Sequence, residues 1–180
     1  DAGCLGCLSP LCRQKAIQHV LLTHSHADHI ATLPVFLDNV YTDGRDCPTV
    51  YGNEAVLETL RRDFLNDRVW PDLHRIADSD LKFLRTQVLT DGQPLQLDQF
   101  TITPVALSHA VPTTGFLVQD QTSAVALVWD TRSTSAIWQL INETANLKAV
   151  FLEASYPNEL ERLAQRTYHL TPRLFHEEVN

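Results

Sequence analysis

The sequence lacks any apolar run near the roughly 20 residues that a membrane-spanning helix needs, and it contains no methionine. We therefore predict no membrane span. The first residues also lack the basic and apolar pattern of a signal peptide, so we expect a cytoplasmic location. Because position 1 is Asp rather than Met, we expect further residues upstream, and the sequence leaves export to the periplasm open.

Basic residues are scarce, with 14 Lys and Arg against 22 Asp and Glu and a formal net charge of −8. An acidic surface does not suit sequence-independent binding to a polyanionic backbone, so we expect no nucleic acid polymer as a partner. A small anionic substrate remains compatible with this charge, because bound metal ions can attract it.

Cysteines are few and confined to the first part of the chain: Cys4, Cys7, Cys12 and Cys47. No second C-x-x-C completes a four-thiolate zinc site. Cys4-x-x-Cys7 with Cys12 is compatible with a small thiolate metal site or a redox pair, but a loop with small side chains is the favoured interpretation. The four residues do not settle the redox compartment.

Metal-binding side chains are concentrated in one segment, Thr-His-Ser-His-Ala-Asp-His at residues 23–29. His24, His26, Asp28 and His29 place three imidazoles and a carboxylate within six residues. The apolar run of residues 16–22 before them predicts a buried strand, so the histidines lie where a strand ends and where α/β folds bind ligands. Imidazole and carboxylate bind Zn²⁺, and imidazole also binds iron, so we predict a metal site rather than a merely histidine-rich loop.

Three further candidates follow at similar positions. His109 comes after a predicted strand at residues 100–107, and Asp130 comes after the apolar run of residues 123–129. His169 precedes Thr171-Pro172, which is typical of a helix N-cap followed by proline. Each of the three residues lies where an element ends, so their side chains can converge with those of the first segment.

Seven ligands exceed the four that one tetrahedral zinc ion takes. They fit two ions when divided into His24, His26 and His109 on one, Asp28, His29 and His169 on the other, with Asp130 between them. Ions in such hydrolytic sites lie about 3.5–4 Å apart, and a water molecule that bridges them loses a proton near neutral pH. We expect two divalent metal ions, with zinc favoured over iron or manganese, and a bridging hydroxide as nucleophile.

This ligand order resembles the metallo-β-lactamase superfamily of hydrolases across nearly the whole chain. The resemblance implies an α/β fold, specifically a four-layer αβ/βα sandwich of two mixed β-sheets flanked by helices, with the dimetal site at one edge. We expect residues 1–180 to form a single domain of this kind. Asp1-Ala2-Gly3 is similar to the Asp-x-Gly that ends an early strand in the family, which implies that the first strands lie outside this chain.

Within that superfamily, three stretches resemble the class II cyclic-nucleotide phosphodiesterases: residues 107–116, residues 151–160 and residues 169–172. The resemblance implies cleavage of 3′,5′-cyclic nucleotides, such as cyclic AMP and cyclic GMP, to 5′-nucleotides. Asp28 would hold one metal ion and orient the hydroxide. Thr113 and Thr114 are candidates for hydrogen bonds to the phosphate, although capping of the turn after Pro112 is an equal alternative. Many relatives pair, so a homodimer is a further expectation.

Other functions use the same ligands. A broader hydrolase of thioesters, lactones or phosphonate esters is one alternative, and a metal-binding module without activity is another. The acidic balance and the lack of a basic arm disfavour the tRNA 3′-processing relatives. The acidic end, Glu177-Glu178, disfavours the thiolesterases that cleave glutathione conjugates.

Overall fold

A computed structural model of the chain describes residues 1–42, 47–77 and 82–180. The chain divides into two compact units, Asp1–Leu89 and Thr90–Asn180, each with its own sheet and its own apolar core. The expectation of a single domain over residues 1–180 stays a prediction. None of the helices that the structure describes has the length and apolar character needed to cross a membrane.

The described part of the first unit contains three strands and five α-helices. These are α1 (Leu11–Lys15), β1 (His19–Leu21), α2 (Ala27–Ile30), α3 (Leu33–Val40), β2 (Thr49–Gly52), α4 (Glu54–Thr59), α5 (Leu73–Ala77) and β3 (Arg85–Val88). A 3-10 turn at Leu5–Cys7 and a π-helical turn at Leu60–Phe64 complete it. The sheet has the order β1-β2-β3, and both described pairings are parallel.

Helix ends in the first unit follow from local chemistry. The side chain of Asn53 accepts a hydrogen bond from the Val56 amide at 3.0 Å and so caps α4. Pro34 lies in the first turn of α3, where its missing N–H needs no acceptor. The buried face of α3, with Leu33, Phe36 and Leu37, packs in the same core cluster as β1 and β2.

The second unit contains a five-stranded mixed sheet and three α-helices. The elements are β4 (Leu95–Leu97), β5 (Phe100–Leu107), β6 (Thr113–Gln119), β7 (Ala124–Val128), α6 (Ala136–Glu143), β8 (Leu147–Leu152), α7 (Glu161–Thr167) and α8 (Pro172–Glu178). A 3-10 turn at Asn158–Leu160 precedes α7. Strand order follows the sequence from β4 to β8, and within this five-stranded sheet the β7–β8 pair is parallel while the other three pairs are antiparallel. Ile137 and Ile141 of α6 pack in one cluster with Val105, Leu117 and Val128.

The predicted α/β class with two sheets and helices is confirmed. One detail differs, because the described strands of the first sheet are all parallel rather than mixed. The reason is their connections: helices α2 and α3 lie between β1 and β2, and α4 and α5 lie between β2 and β3. Helical crossovers of this kind return the chain in the same direction, which gives parallel neighbours.

Candidate metal centre

The first ligand group comprises His24 and His26, which lie between the end of β1 and α2, and Asp28 and His29, which lie in α2. His24 is fully buried, and its Nε2 lies 3.0 Å from His26 Nδ1. The rings of His24 and His29 have their centroids 4.1 Å apart, and Asp28 Oδ2 lies 3.5 Å from His29 Nε2. Within this unit the four side chains therefore meet at the carboxyl end of β1.

Asp1 and Thr23 fix the orientation of two of these histidines. The Thr23 hydroxyl donates to Asp1 Oδ2 at 2.9 Å, and its amide donates to Asp1 Oδ1 at 2.7 Å. A hydroxyl has one hydrogen to donate, so Thr23 Oγ1 accepts from His24 Nδ1, which lies 2.9 Å away. An ionised carboxylate only accepts, so His29 Nδ1 donates to Asp1 Oδ2 at 2.9 Å. Nε2 is then the atom that each ring presents to a metal ion.

Gly3 allows residues 1–3 to approach the backbone of α2. A Cβ at Gly3 would lie 1.6 Å from the carbonyl oxygen of Asp28, so no larger residue fits there without displacing backbone. Beside it, the Ala2 amide donates to the His29 carbonyl at 2.7 Å. The Asp-x-Gly segment thus supplies both the orienting carboxylate of Asp1 and the close approach that holds it in place.

The second ligand group comprises His109, Asp130 and His169. β5 and β7 are both antiparallel to β6, so they run in the same direction, and β8 is parallel to β7. The carboxyl ends of β5, β7 and β8 therefore lie at one edge of the sheet. His109 and Asp130 each come two residues after such an end, and Glu153 comes one residue after the third. His169 precedes α8 and joins them there.

Glu153 is a buried carboxylate, 8% exposed, that the sequence analysis did not identify. It accepts hydrogen bonds from His169 Nδ1 at 2.9 Å, the Thr131 amide at 2.7 Å and the Leu170 amide at 3.3 Å. The amide and hydroxyl of Ser155 also donate to it. The only signal in the sequence was its position, one residue after a predicted strand. Its contacts make Glu153 the residue that orients His169.

In the second ligand group, His109 is also oriented through its Nδ1 atom. His109 Nδ1 donates to the Tyr168 carbonyl at 3.1 Å, and the ring centroids of His109 and His169 lie 4.9 Å apart. Asp130 has a φ of +48°, in the left-handed region that Asp enters more readily than most residues. Its Oδ1 lies 3.9 Å from His169 Nδ1. One ligand atom each from Asp130, Glu153 and His169 lie within 4.8 Å of one another, close enough to hold a cation.

The donor atoms of both groups fit a divalent transition metal. Nδ1 of His29 and of His169 contacts a carboxylate, and Nδ1 of His109 contacts a backbone carbonyl. This is the usual arrangement of metal-binding histidines, in which the partner of one ring nitrogen orients the other toward the ion. Imidazoles and carboxylates together form the ligand set of catalytic zinc sites.

Thr113 and Thr114 lie at the start of β6, and both are buried. The Thr113 hydroxyl donates to the Val111 carbonyl at 2.9 Å, which is the contact expected from the turn-capping alternative. The hydroxyl of Thr113 therefore has no second hydrogen for a phosphate. A substrate contact by either threonine stays a prediction.

The chain is similar in sequence to a family of known proteins and to several of its relatives. A family model described as "Beta-lactamase superfamily domain" matches residues 7–179. A probable 3′,5′-cyclic-nucleotide phosphodiesterase of Yersinia pestis is 26% identical over 172 residues, which cover 84% of this chain and 49% of that protein. A ribonuclease Z of Limosilactobacillus fermentum is 29% identical over 109 residues, which cover 60% of this chain and 33% of that protein. The chain thus spans at most about half the length of these relatives.

The fold has close counterparts among solved structures. The crystal structure of unliganded yeast PDE1 superimposes with a TM-score of 0.78 and 22% identity, covering 91% of this chain and 51% of that one. At this identity the likeness concerns the fold. It agrees with the α/β fold that the ligand order implied.

One expectation is not supported by the comparisons. The acidic composition led us to expect no nucleic acid polymer as a partner, yet relatives named ribonuclease Z match the chain. Net charge describes the whole surface and does not report the charge near a site, so it does not exclude an RNA substrate.

Proposed function

The chain belongs to the beta-lactamase superfamily, and from this we propose that it is a metal-dependent hydrolase that cleaves 3′,5′-cyclic nucleotides to 5′-nucleotides. The observation that carries the proposal is the extent of the matches. The phosphodiesterase relative aligns with 84% of the chain, whereas the ribonuclease Z relative aligns with 60%.

The proposed metal ligands are the seven residues of the two ligand groups. His24, His26 and His109 would hold one ion, Asp28, His29 and His169 the other, and Asp130 both. Zinc is favoured for this donor set, with iron and manganese as alternatives. When bound, two divalent ions supply positive charge for the phosphate and activate a water molecule.

The protein's own residues have distinct tasks in this proposal. The contacts that Nδ1 makes in His24 and in His29 leave Nε2 of each ring as the nitrogen that would hold an ion. The Asp28 side chain is 80% exposed, beside His29 Nε2, where its carboxylate can accept the proton of the attacking water. The water oxygen forms a bond to phosphorus, the bond from phosphorus to the 3′ oxygen breaks, and that oxygen takes up a proton.

The test is a substrate panel on the purified, metal-loaded protein together with elemental analysis. We expect two metal ions per chain and turnover of cyclic AMP or cyclic GMP. Asp130→Asn should abolish turnover, because it removes a charged ligand while Asn still tolerates the left-handed backbone at this position. Glu159→Ala, which removes an exposed carboxylate from the 3-10 turn before α7, is the matched control and should leave turnover unchanged.

Three outcomes would contradict the proposal. Good turnover of a thioester, lactone or phosphonate ester without turnover of either cyclic nucleotide would assign the site to the broader hydrolase alternative. Full activity of Asp130→Asn would remove the site from the reaction. A protein that binds metal and turns over nothing in the panel would instead be the inactive metal-binding module.

A second candidate is an RNA-cleaving phosphodiesterase. The observation that favours it is the ribonuclease Z relative, which at 29% identity is more similar over its aligned residues than the cyclic-nucleotide phosphodiesterase at 26%. An RNA with a 3′ extension in the same panel distinguishes the two, because this candidate requires cleavage of the RNA and no turnover of cyclic nucleotides. A homodimer and a cytoplasmic location remain predictions of the sequence.

A further inference from the structure

A cavity of about 390 Å³ in the second unit borders His169, one of the proposed metal ligands. This volume lies in the range of roughly 300–1,000 Å³ that is usual for small-molecule sites. Its wall includes the apolar side chains of Leu170 and Leu174 and the polar side chains of Arg132 and Gln165. The cavity therefore combines an apolar surface with the cationic group of Arg132, beside the candidate metal ligand His169.

Arg132 is held in place by its neighbours. Its Nε donates to Ser108 Oγ at 2.8 Å, and its guanidinium carbon lies 4.4 Å from the centroid of the Tyr168 ring. Ser108 precedes His109 and Tyr168 precedes His169, so the contacts of Arg132 reach the two loops that carry these histidines. Among the described residues, the Nε hydrogen is the one of the five guanidinium N–H donors that has a hydrogen-bond acceptor. Arg132 also forms no ion pair with a carboxylate of the described residues.

The acidic residues of the same wall have other partners. Glu178 Oε1 accepts hydrogen bonds from the Thr134 amide at 2.8 Å and from Trp138 Nε1 at 2.7 Å. Glu177 is paired with Arg173. Their negative charges are thus partly compensated by those donors, whereas the charge of Arg132 is not compensated by a carboxylate. The Nη atoms of Arg132 are the donors in this wall best suited to an anion.

We propose that Arg132 is the anion anchor of this cavity and that its Nη atoms bind a phosphate oxygen of the substrate, and later of the product, beside His169. A planar guanidinium matches a phosphate with two parallel hydrogen bonds, which a lysine ammonium cannot reproduce. The stacking on Tyr168 and the bond to Ser108 fix the plane of the group before ligand binds. This inference rests on the proposed function, because it assigns the anchor to a phosphate ester.

The experiment compares the binding of adenosine 5′-monophosphate and adenosine to the metal-loaded chain by calorimetry. Arg132→Ala should weaken binding of the monophosphate by about 10- to 100-fold, as expected for hydrogen bonds between charged groups, and should leave adenosine binding unchanged. Arg132→Lys should give an intermediate loss. In turnover, the same variants should raise KM for the cyclic nucleotide more than they lower kcat.

Matched variants separate an anchor from a merely structural residue. Arg162→Ala removes the same charge from an exposed position on α7 that does not line the cavity, so it should bind the monophosphate as the wild type does. Metal content and melting temperature of each variant report folding. Where Arg132→Ala fails to fold, Arg132→Lys decides, because it keeps the charge and the aliphatic stem.

The outcomes for the anchor and for the proposed function are distinguishable. Unchanged monophosphate affinity in folded, metal-loaded Arg132 variants overturns the anchor, and the proposed function stands if the wild type still turns over cyclic AMP. A wild type that does not turn over cyclic nucleotides, but binds the monophosphate more tightly than adenosine through Arg132, keeps the anchor and overturns the proposed function. Equal affinity for the two ligands in the wild type overturns the anchor as well.

Discussion

In the first unit the candidate ligands lie within six consecutive residues, whereas in the second unit they come from residues 109, 130 and 169. The first group needs one strand and one turn, because neighbouring residues are brought together by the chain itself. The second group needs a sheet whose strands end at the same edge. The contrast shows that local spacing reveals the ligand group of the first unit, whereas strand direction decides the ligand group of the second.

The two units nevertheless share one feature, a carboxylate that accepts a hydrogen bond from Nδ1 of a candidate ligand histidine. In the first, Asp1 Oδ2 lies 2.9 Å from His29 Nδ1, and in the second, Glu153 Oε1 lies 2.9 Å from His169 Nδ1. Each carboxylate also accepts backbone amides, from Thr23 in one case and from Thr131 among others in the second. A histidine held in this way presents Nε2 without reorganisation, so each unit prepares its ligand independently.

The largest effect is expected from removing one ligand in each unit. His24→Ala and His169→Ala should each lower kcat/KM by on the order of a thousandfold, since a lost ligand costs several kcal/mol of transition-state stabilisation. Steady-state kinetics with elemental analysis tests this. His176→Ala, at an exposed position on α8, is the control and should change neither quantity. Equal activity of His169→Ala and the wild type would show that the first ligand group acts alone.

Removal of metal should destabilise the protein. Binding to the folded state stabilises it by about 2.7 kcal/mol per ion when the free metal is at 100 times its dissociation constant, so a chelator should lower the melting temperature. Addition of Zn²⁺ after removal of the chelator should restore it. Thermal denaturation with and without chelator measures the change. A melting temperature that the chelator leaves unchanged would contradict metal binding by either group.

The orientation of His169 by Glu153 and of His29 by Asp1 can be tested with Glu153→Gln and Asp1→Asn. Each keeps one oxygen acceptor and removes the charge, and loss of such a contact typically lowers metal affinity or activity by about 10- to 100-fold. Glu153→Gln should have the larger effect, because Glu153 is buried and a Gln amide group would face N–H donors. Competition titration of metal affinity measures both.

The control for that comparison is an exposed carboxylate, replaced in Glu143→Gln at the end of α6. Its metal affinity should equal that of the wild type. An effect of Asp1→Asn that exceeds the effect of Glu153→Gln would reverse the proposed ranking of the two carboxylates.

The smallest effects are expected in two exposed turns, one in each unit. Hydrogen bonds from the Asp72 amide and the Arg75 side chain hold the pKa of Asp67 below its usual value, and the amides of Thr122 and Ser123 do so for Asp120. A carboxyl with a depressed folded-state pKa contributes stability above its unfolded pKa and loses it as pH falls through the folded value. Asp67→Asn and Asp120→Asn should therefore lower the melting temperature slightly near pH 7.

This difference should shrink as the pH falls below the ordinary Asp pKa of about 3.9 and toward the depressed folded-state pKa, because the contribution of the ionised carboxyls is lost over that interval. Melting curves across that range, compared with the wild type, measure it. The control is again Glu143→Gln. An aspartate such as Asp91 would not serve, because its side chain accepts a hydrogen bond from the Ala106 amide. A difference that grows at low pH would contradict the assigned direction of the pKa shifts.

Much of the fold could be predicted from local patterns. The apolar run before His24 forms β1, the Asn53 cap begins α4, and Thr171 caps α8 by accepting from the Leu174 amide at 3.3 Å. Each of these features depends on residues close together in the chain. The short helix α1 has no such local signal, because residues 1–15 carry no clear apolar period.

The functional site was predicted less completely. The candidate ligands could be proposed from the sequence, because imidazole and carboxylate after a strand form a distinctive pattern. The role of Glu153 could not be predicted, because a glutamate after a strand has many possible roles. Its burial and its five hydrogen-bond donors identify it as the residue that orients His169. Arg132 likewise has no sequence signal, since its stacking on Tyr168 joins residues far apart in the chain.

The amino-acid sequence by itself determined the candidate ligand set of residues 24–29 and the caps at which α4 and α8 begin, because these depend on side-chain type and on neighbours within a few positions. Tertiary structure alone decided which strands run in the same direction, and hence that His109, Asp130 and Glu153 follow strand ends at one edge of a sheet. It also decided that Nδ1 of His29, of His109 and of His169 contacts an oxygen acceptor, which leaves Nε2 of each ring as the candidate ligand atom. These properties depend on hydrogen bonds between residues distant in the chain, which spacing along a sequence does not encode.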